Sequence, residues 1–252
     1  MQFNEVWMTL AVFSVAILYS AIGQGGGSGY LAVMAAGGLS VNQMRPTALA
    51  LNVLVSGLTG CKFVHAGRFQ FRVFWPSVLF GTPAAMLGAK VEMHPDFYRI
   101  LVAFVLLFAC WKLNKSSRQT IHSCLNENQR QPIFVIAIAG GIIGFISGLT
   151  GIGGGIFLSP VIILCGWADA RQAAGTSALF TLVNSMGGLT VMSHPLQNLP
   201  SQIVVWLPVT VLGALIGSEI GLKLLSELTM RRLLGMALAA SALRSLWMIG
   251  TG

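Results

Sequence analysis

Eight apolar runs separated by short, basic connections govern what this chain can fold into. They cover residues 6–22, 47–60, 73–89, 100–113, 133–149, 175–192, 203–222 and 233–249. A helix needs roughly 20 predominantly apolar residues to cross a hydrocarbon core of about 30 Å, and the runs approach that length. Of the 252 residues, 55% are hydrophobic and only 9% are charged, where a water-soluble domain spends about 25% on charge. So few charges cannot clothe a globule in water. Lipid is the expected solvent, and an all-α polytopic membrane protein the expected fold.

The net charge of +8 is divided among the connections, as it is where basic residues fix orientation in a bilayer. No basic stripe interleaved with stacking aromatics occurs, so nucleic acid is not an expected partner. Gln2, Asn4 and Glu5 precede the first run without a Lys or Arg. A secretory signal opens on positive charge, so residues 6–22 are expected to stay as a helix. Cys61, Cys110, Cys124 and Cys165 form no CxxC pair and no metal-ligand spacing, and no metal or cofactor is expected. Trp7, Trp75, Trp111, Trp206 and Trp247 lie near the ends of apolar runs, where indoles anchor a chain at headgroup level.

The chain also repeats itself. Gly25, Gly26 and Gly27 precede a short apolar run at 28–39, and Gly153, Gly154 and Gly155 precede another at 156–167. Thr47-Ala48-Leu49 then matches Thr176-Ser177-Ala178, and Trp75-Pro76 matches Trp206-Leu207-Pro208. Gly81, Ala85 and Ala89 correspond to Gly213, Gly217 and Gly221, a spacing that lets helix backbones approach closely. Arg99-Ile100-Leu101 matches Arg232-Leu233-Leu234. The expected organisation is a first membrane repeat at 1–113, a cytoplasmic linker at 114–131 and a second repeat at 132–252.

The post-glycine runs have about 12 residues, or about 18 Å of helix, too short to cross alone. Either each glycine run interrupts one crossing helix, or it turns a re-entrant hairpin. Leaving out Arg244, which lies within the last apolar run, the first arrangement splits the other Lys and Arg seven against seven across the bilayer, the second eleven against three. Only the second has the cytoplasmic excess expected of a membrane protein. It implies inverted halves, both termini outside, each half with a Gly-rich helix pair plus three spanning helices.

Triglycine in an apolar region needs a reason, because glycine weakens a helix by about 1 kcal/mol relative to alanine. One reason is close approach of a ligand to free N–H groups. A helix N-terminus carries unpaired donors and roughly half a positive charge, so two such ends meeting near the midplane form an anion site. The alternative is tight packing at a turn. Asn52, Ser56, Thr176, Ser177, Thr181, Asn184 and Ser185 sit in otherwise apolar stretches, and hydroxyls and amides bind oxyanions without burying charge. The candidate substrate-binding set is Gly25, Gly26, Gly27, Ser28, Asn52, Gly153, Gly154, Gly155, Thr176, Ser177 and Asn184. The isolated serines are assigned to helix–helix hydrogen bonding, and Gln24, Thr150 and Ser159 flank the glycine runs. Glu219 is expected to pair with Lys223 one turn on; a coupling role is its alternative. Arg45 and Arg171 precede matched helices as topology signals. His94-Pro95 and His194-Pro195 are expected turns. No Ser–His–acid triad, metal cluster or lysine-backed phosphate loop is present, so no enzyme activity is expected.

The segment Ser147-Gly-Leu-Thr-Gly-Ile-Gly-Gly-Gly-Ile-Phe-Leu-Ser-Pro160, followed by Ala173-Ala-Gly-Thr-Ser177 and Asn184, resembles the TauE/SafE family of membrane permeases. The first half resembles its counterpart through Gly25, Gly26 and Gly27, the 46–49 segment and Asn52. There Gly-Gln-Gly-Gly-Gly-Ser-Gly replaces the second half's Gly-Ile-Gly-Gly-Gly-Ile-Phe. The resemblance covers essentially the whole chain and implies a multi-pass transporter of the bacterial inner membrane. It implies a small anion, such as sulfite or an organosulfonate, moved outward by alternating access as one half rocks against the other. Its partners would be that anion and the bilayer, with a homodimer as the candidate assembly. An anion channel, a non-catalytic scaffold and a membrane-embedded enzyme are the alternatives.

Overall fold

A computed structural model describes residues 2–91, 132–192, 199–226, 228–230, 232–233 and 235–236. The expected span at 100–113, most of that at 233–249, the linker at 114–131, Trp111, Trp247, Cys110, Cys124, Arg99, Arg244 and both His-Pro pairs lie outside them. The described helices are α1 (Gln2–Ala21), α2 (Gly27–Ala36), α3 (Val41–His65), α4 (Phe71–Lys90), α5 (Ile133–Thr150), α6 (Gly155–Leu164), α7 (Ala170–Val191) and α8 (Ile203–Glu219), the last running into a π turn at Ile220–Leu224. No strand occurs among the described residues. Three stretches, Asn42–His65, Ile133–Thr150 and Ile203–Leu224, are long and apolar enough to cross a membrane. Helices α1, α4 and α7 have 20, 20 and 22 residues, enough for about 30 Å.

The burial pattern is that of a protein dissolved in lipid. Leu10, Phe80, Leu87, Phe134, Ile142 and Val204 are exposed. Gln24, Asn52, Ser56, Thr59, Thr181 and Asn184 are buried. In water this distribution would cost hydrophobic free energy at the surface and desolvation inside; in hydrocarbon the apolar exterior costs nothing.

Glycine sets how the helices pack. A methyl at Gly140, Gly144 or Gly148 of α5 would strike the α4 backbone at Ser77, Gly81 and Ala85. Methyls at Gly213, Gly217 and Gly221 would likewise strike α1 and the residue that ends it, at Ala16, Ile17 and Ala21. Small residues on both faces let backbones touch, the main source of helix affinity where lipid removes the hydrophobic drive. Helix α4 therefore packs on α5, α1 on α8, and α3 on α7 along the middle, with α3 also meeting α8 and α4 meeting α7. Exchanging the first four helices for the last four maps this set of pairings onto itself.

Turn geometry repeats in the same way. Positive φ occurs at Gly23 (73°) and Gly151 (71°), at Gly26 (90°) and Gly154 (87°), and at Gly38 (79°) and Gly166 (67°). Both short helices end alike, with Leu39 N donating to Met34 O at 3.1 Å and Trp167 N to Ile162 O at 2.9 Å. Not everything is duplicated. Helix α7 starts on a capping box, Asp169 with Gln172, while Ser40 before α3 makes no side-chain cap.

Trp206 corrects one expectation. It is 1% exposed, among the largest fully buried side chains, whereas Trp75 is 54% exposed. Of these two, only Trp75 can work as an interfacial anchor; Trp206 is core.

Candidate functional site

The two glycine runs open the two ten-residue helices α2 and α6. Gly26 and Gly154 are the N-cap residues, both left-handed and both without a side-chain cap. In α2, Tyr30 N donates to Gly26 O at 2.9 Å; in α6, Leu158 N donates to Gly154 O at 3.1 Å. Phe157 N shares the Gly154 carbonyl at 3.1 Å. The first N–H groups of each helix lie ahead of its first turn of hydrogen bonds, and the macrodipole adds positive partial charge. Both helices are buried along most of their length, so this charge lies inside the protein.

The runs converge on one seam between α3 and α7. A methyl on Gly25 would lie 2.5 Å from Ser56 Oγ, 2.7 Å from Asn52 Oδ1 and 2.9 Å from Thr181 Cγ2. One on Gly153 would lie 2.6 Å from the same Thr181 Cγ2, 2.9 Å from Asn52 Nδ2 and 2.9 Å from Ser185 Oγ. Hydrogen bonds cross between the repeats: Asn52 Nδ2 donates to Ile152 O at 3.0 Å, and Gln24 Nε2 donates to Ser159 Oγ at 2.7 Å.

Asn52 Oδ1, Ser56 Oγ and Ser185 Oγ at the runs are buried without a partner, as are Ser177 Oγ and Asn184 Nδ2 on α7. Each such atom costs about 1–3 kcal/mol of desolvation. Those at the runs, beside two helix N-termini, make this the candidate place for a polar ligand.

Other candidates are committed elsewhere. Thr176 Oγ1 accepts from Gln70 N at 3.0 Å, so it serves the start of α4. Ser28 Oγ pairs with Tyr19 Oη at 2.9 Å. Asn184 Oδ1 accepts from Thr82 Oγ1 at 2.9 Å, which leaves only its Nδ2 free. Ser56, Thr181 and Ser185, which the sequence reading leaves outside the site, stand at the glycine runs. The signal for them is spacing: Asn52 and Ser56, like Thr181 and Ser185, are four residues apart on one helix face.

Glu219, Lys62, Arg45 and Arg171 each have a partner within the protein. Glu219 is held by Lys223 at 2.7 Å and by Lys62 of α3 at 3.1 Å. Lys62 also donates to Leu215 O at 3.1 Å. Arg45 donates to Gly148 O at 3.2 Å, and Arg171 to Leu225 O at 2.9 Å. The Gly148 carbonyl lies in the last turn of α5 and that of Leu225 just past the π turn, where carbonyls lack helical partners and favour a cation. No group of three or more metal-ligating side chains occurs among the described residues.

An apolar exterior around a core that buries hydrogen-bonding polar groups defines an integral membrane protein. Residues 8–245 match the family model described as sulfite exporter TauE/SafE. The chain belongs to that family, and with it to the membrane transporters. It is 34% identical over 247 residues to the "Probable membrane transporter protein y4hK" of Sinorhizobium fredii, covering 98% of this chain and 100% of that protein. It is 26% identical over 202 residues to a "Probable membrane transporter protein" of Xylella fastidiosa, covering 72% of each. No solved structure matches it.

Proposed function

We propose that this protein is a secondary transporter that moves a small sulfur oxyanion, of the sulfite or organosulfonate class, outward across the bacterial inner membrane. The anion binds between the triglycine runs. Backbone N–H groups at the α2 and α6 termini hold its charge, and Ser56, Ser177, Asn184 and Ser185 supply further donors. One observation carries the reading: both runs abut the same α3–α7 seam, where buried polar atoms stand without partners. The family's description and the S. fredii relative point the same way. An inside-negative voltage drives an anion outward.

On this reading the repeats at 1–113 and 132–252 are inverted about a linker at 114–131. The exchanged helix pairings support a two-fold repeat, and the one-sided excess of basic residues supports its inversion. Alternating access then moves the α1–α8 and α4–α5 pairs about the α3–α7 seam. Rocking of whole halves is disfavoured, because the backbone-tight seams join helices of opposite halves.

Liposomes holding the purified protein and loaded with unlabelled sulfite are expected to take up labelled sulfite faster than unloaded ones, and saturably. Flux that neither saturates nor responds to internal anion would make the protein a channel. Absence of flux with sulfite, thiosulfate, sulfoacetate and sulfate alike would overturn the proposal. Because Glu219 is already satisfied by two ammonium groups, Glu219→Gln is expected to leave this flux and its response to a proton gradient unchanged. Loss of the gradient response with counterflow retained would instead identify Glu219 as the coupling carboxylate.

A further inference from the structure

The glycine-run site contains an acceptor as well as donors. Asn52 is fully buried on α3, and its Nδ2 donates to the Ile152 carbonyl at 3.0 Å. A carbonyl only accepts, so this bond fixes which end of the amide is which. Oδ1 therefore faces the first glycine run, where a methyl on Gly25 would touch it at 2.7 Å. No donor reaches it, and Ser56 Oγ beside it is equally unpartnered.

A ligand bound at this glycine run would face that oxygen. A fully ionised oxyanion offers only acceptors, and its lone pairs would face those of Oδ1. A bare cation would satisfy Oδ1 but would sit at two helix N-termini, whose dipoles favour negative charge. An anion that carries its own O–H answers both demands at once.

Resting on the transport reading above, we infer that the species bound is a protonated monoanion, its O–H donated to Asn52 Oδ1 and its ionised oxygens turned to the α2 and α6 termini. The Ser56 and Ser185 hydroxyls donate to those same oxygens. For sulfite this selects hydrogen sulfite over the dianion. Each transport event then carries one proton with the anion in the same direction, and moves one negative charge where the dianion would move two.

Calorimetric titration of the purified protein with sulfite tests this. Apparent affinity is expected to fall about tenfold for each pH unit above the second ionisation of sulfite. Methanesulfonate, a monoanion without a donor, is expected to bind at least about tenfold more weakly at acid pH, the loss of one matched hydrogen bond to a buried group, with no pH dependence. Asn52→Ala is expected to erase that difference; should the variant not fold, the wild-type pH profile decides alone. Sulfite affinity unchanged from about pH 6 to about pH 8.5 would overturn the inference. So would binding that follows sodium instead of protons, which would assign Oδ1 to a cation. If no sulfur oxyanion binds at any pH, the transport reading falls and this falls with it. If the dianion binds tightly and Gly153→Ala abolishes that binding, the site stands and only the proton assignment fails.

Discussion

Gly153→Ala is expected to reduce sulfite flux by about 100-fold or more, the scale on which a displacement of about 1 Å in a binding site acts, while the protein still inserts and folds. Two costs are combined at this position. Gly153 has φ 92°, and a left-handed conformation costs an L-residue roughly 1–2 kcal/mol. The added methyl also enters the space between Thr181, Asn52 and Ser185, with all three within 2.9 Å. Gly38→Ala separates the two. Gly38 has φ 79° but nothing within 4 Å of an added methyl, so it carries the strain without the collision. Flux per molecule in liposomes, normalised to protein inserted, is expected to survive Gly38→Ala and to be lost in Gly153→Ala. Equal flux in both would mean that the seam is only a packing contact.

The contrast between these two glycines shows where reading the chain alone succeeds and stops. Three consecutive glycines amid apolar residues have few uses, so the short helices after them are legible, and they open at Gly27 and Gly155. Spans are legible for a similar reason: bilayer thickness imposes a length that soluble folds do not. The partners across the seam are not legible, because Asn52 and Ile152 stand far apart in the chain and meet only once α3 lies beside the second glycine loop. Thr176 shows another limit. Its place in a polar, matched segment resembles a site, and its hydroxyl oxygen accepts from Gln70 N, a contact no local pattern announces. Trp206 fails for a related reason, since an indole near the end of an apolar run looks interfacial until a neighbouring helix covers it.

Gly144→Leu is expected to cost about 3 kcal/mol or more, above the usual range for overpacking, and to lower the thermal midpoint in detergent sharply. The large value follows from what the side chain would meet. At Gly144 the nearest atoms are the backbone carbonyl and Cα of Gly81, and a backbone cannot rotate aside as a rotamer can. Helices α4 and α5 would have to separate along the seam, losing the dispersion contacts that stand in for hydrophobic drive in lipid. Gly57→Ala in α3 is the matched test of glycine removal without collision. Its nearest neighbour is the flexible end of Leu182 at 3.7 Å, so it is expected to gain about 0.5–1 kcal/mol from helix propensity. If Gly144→Leu melts like the wild type, the α4–α5 pair is not a rigid unit. The motion proposed for alternating access would then have to divide the molecule elsewhere.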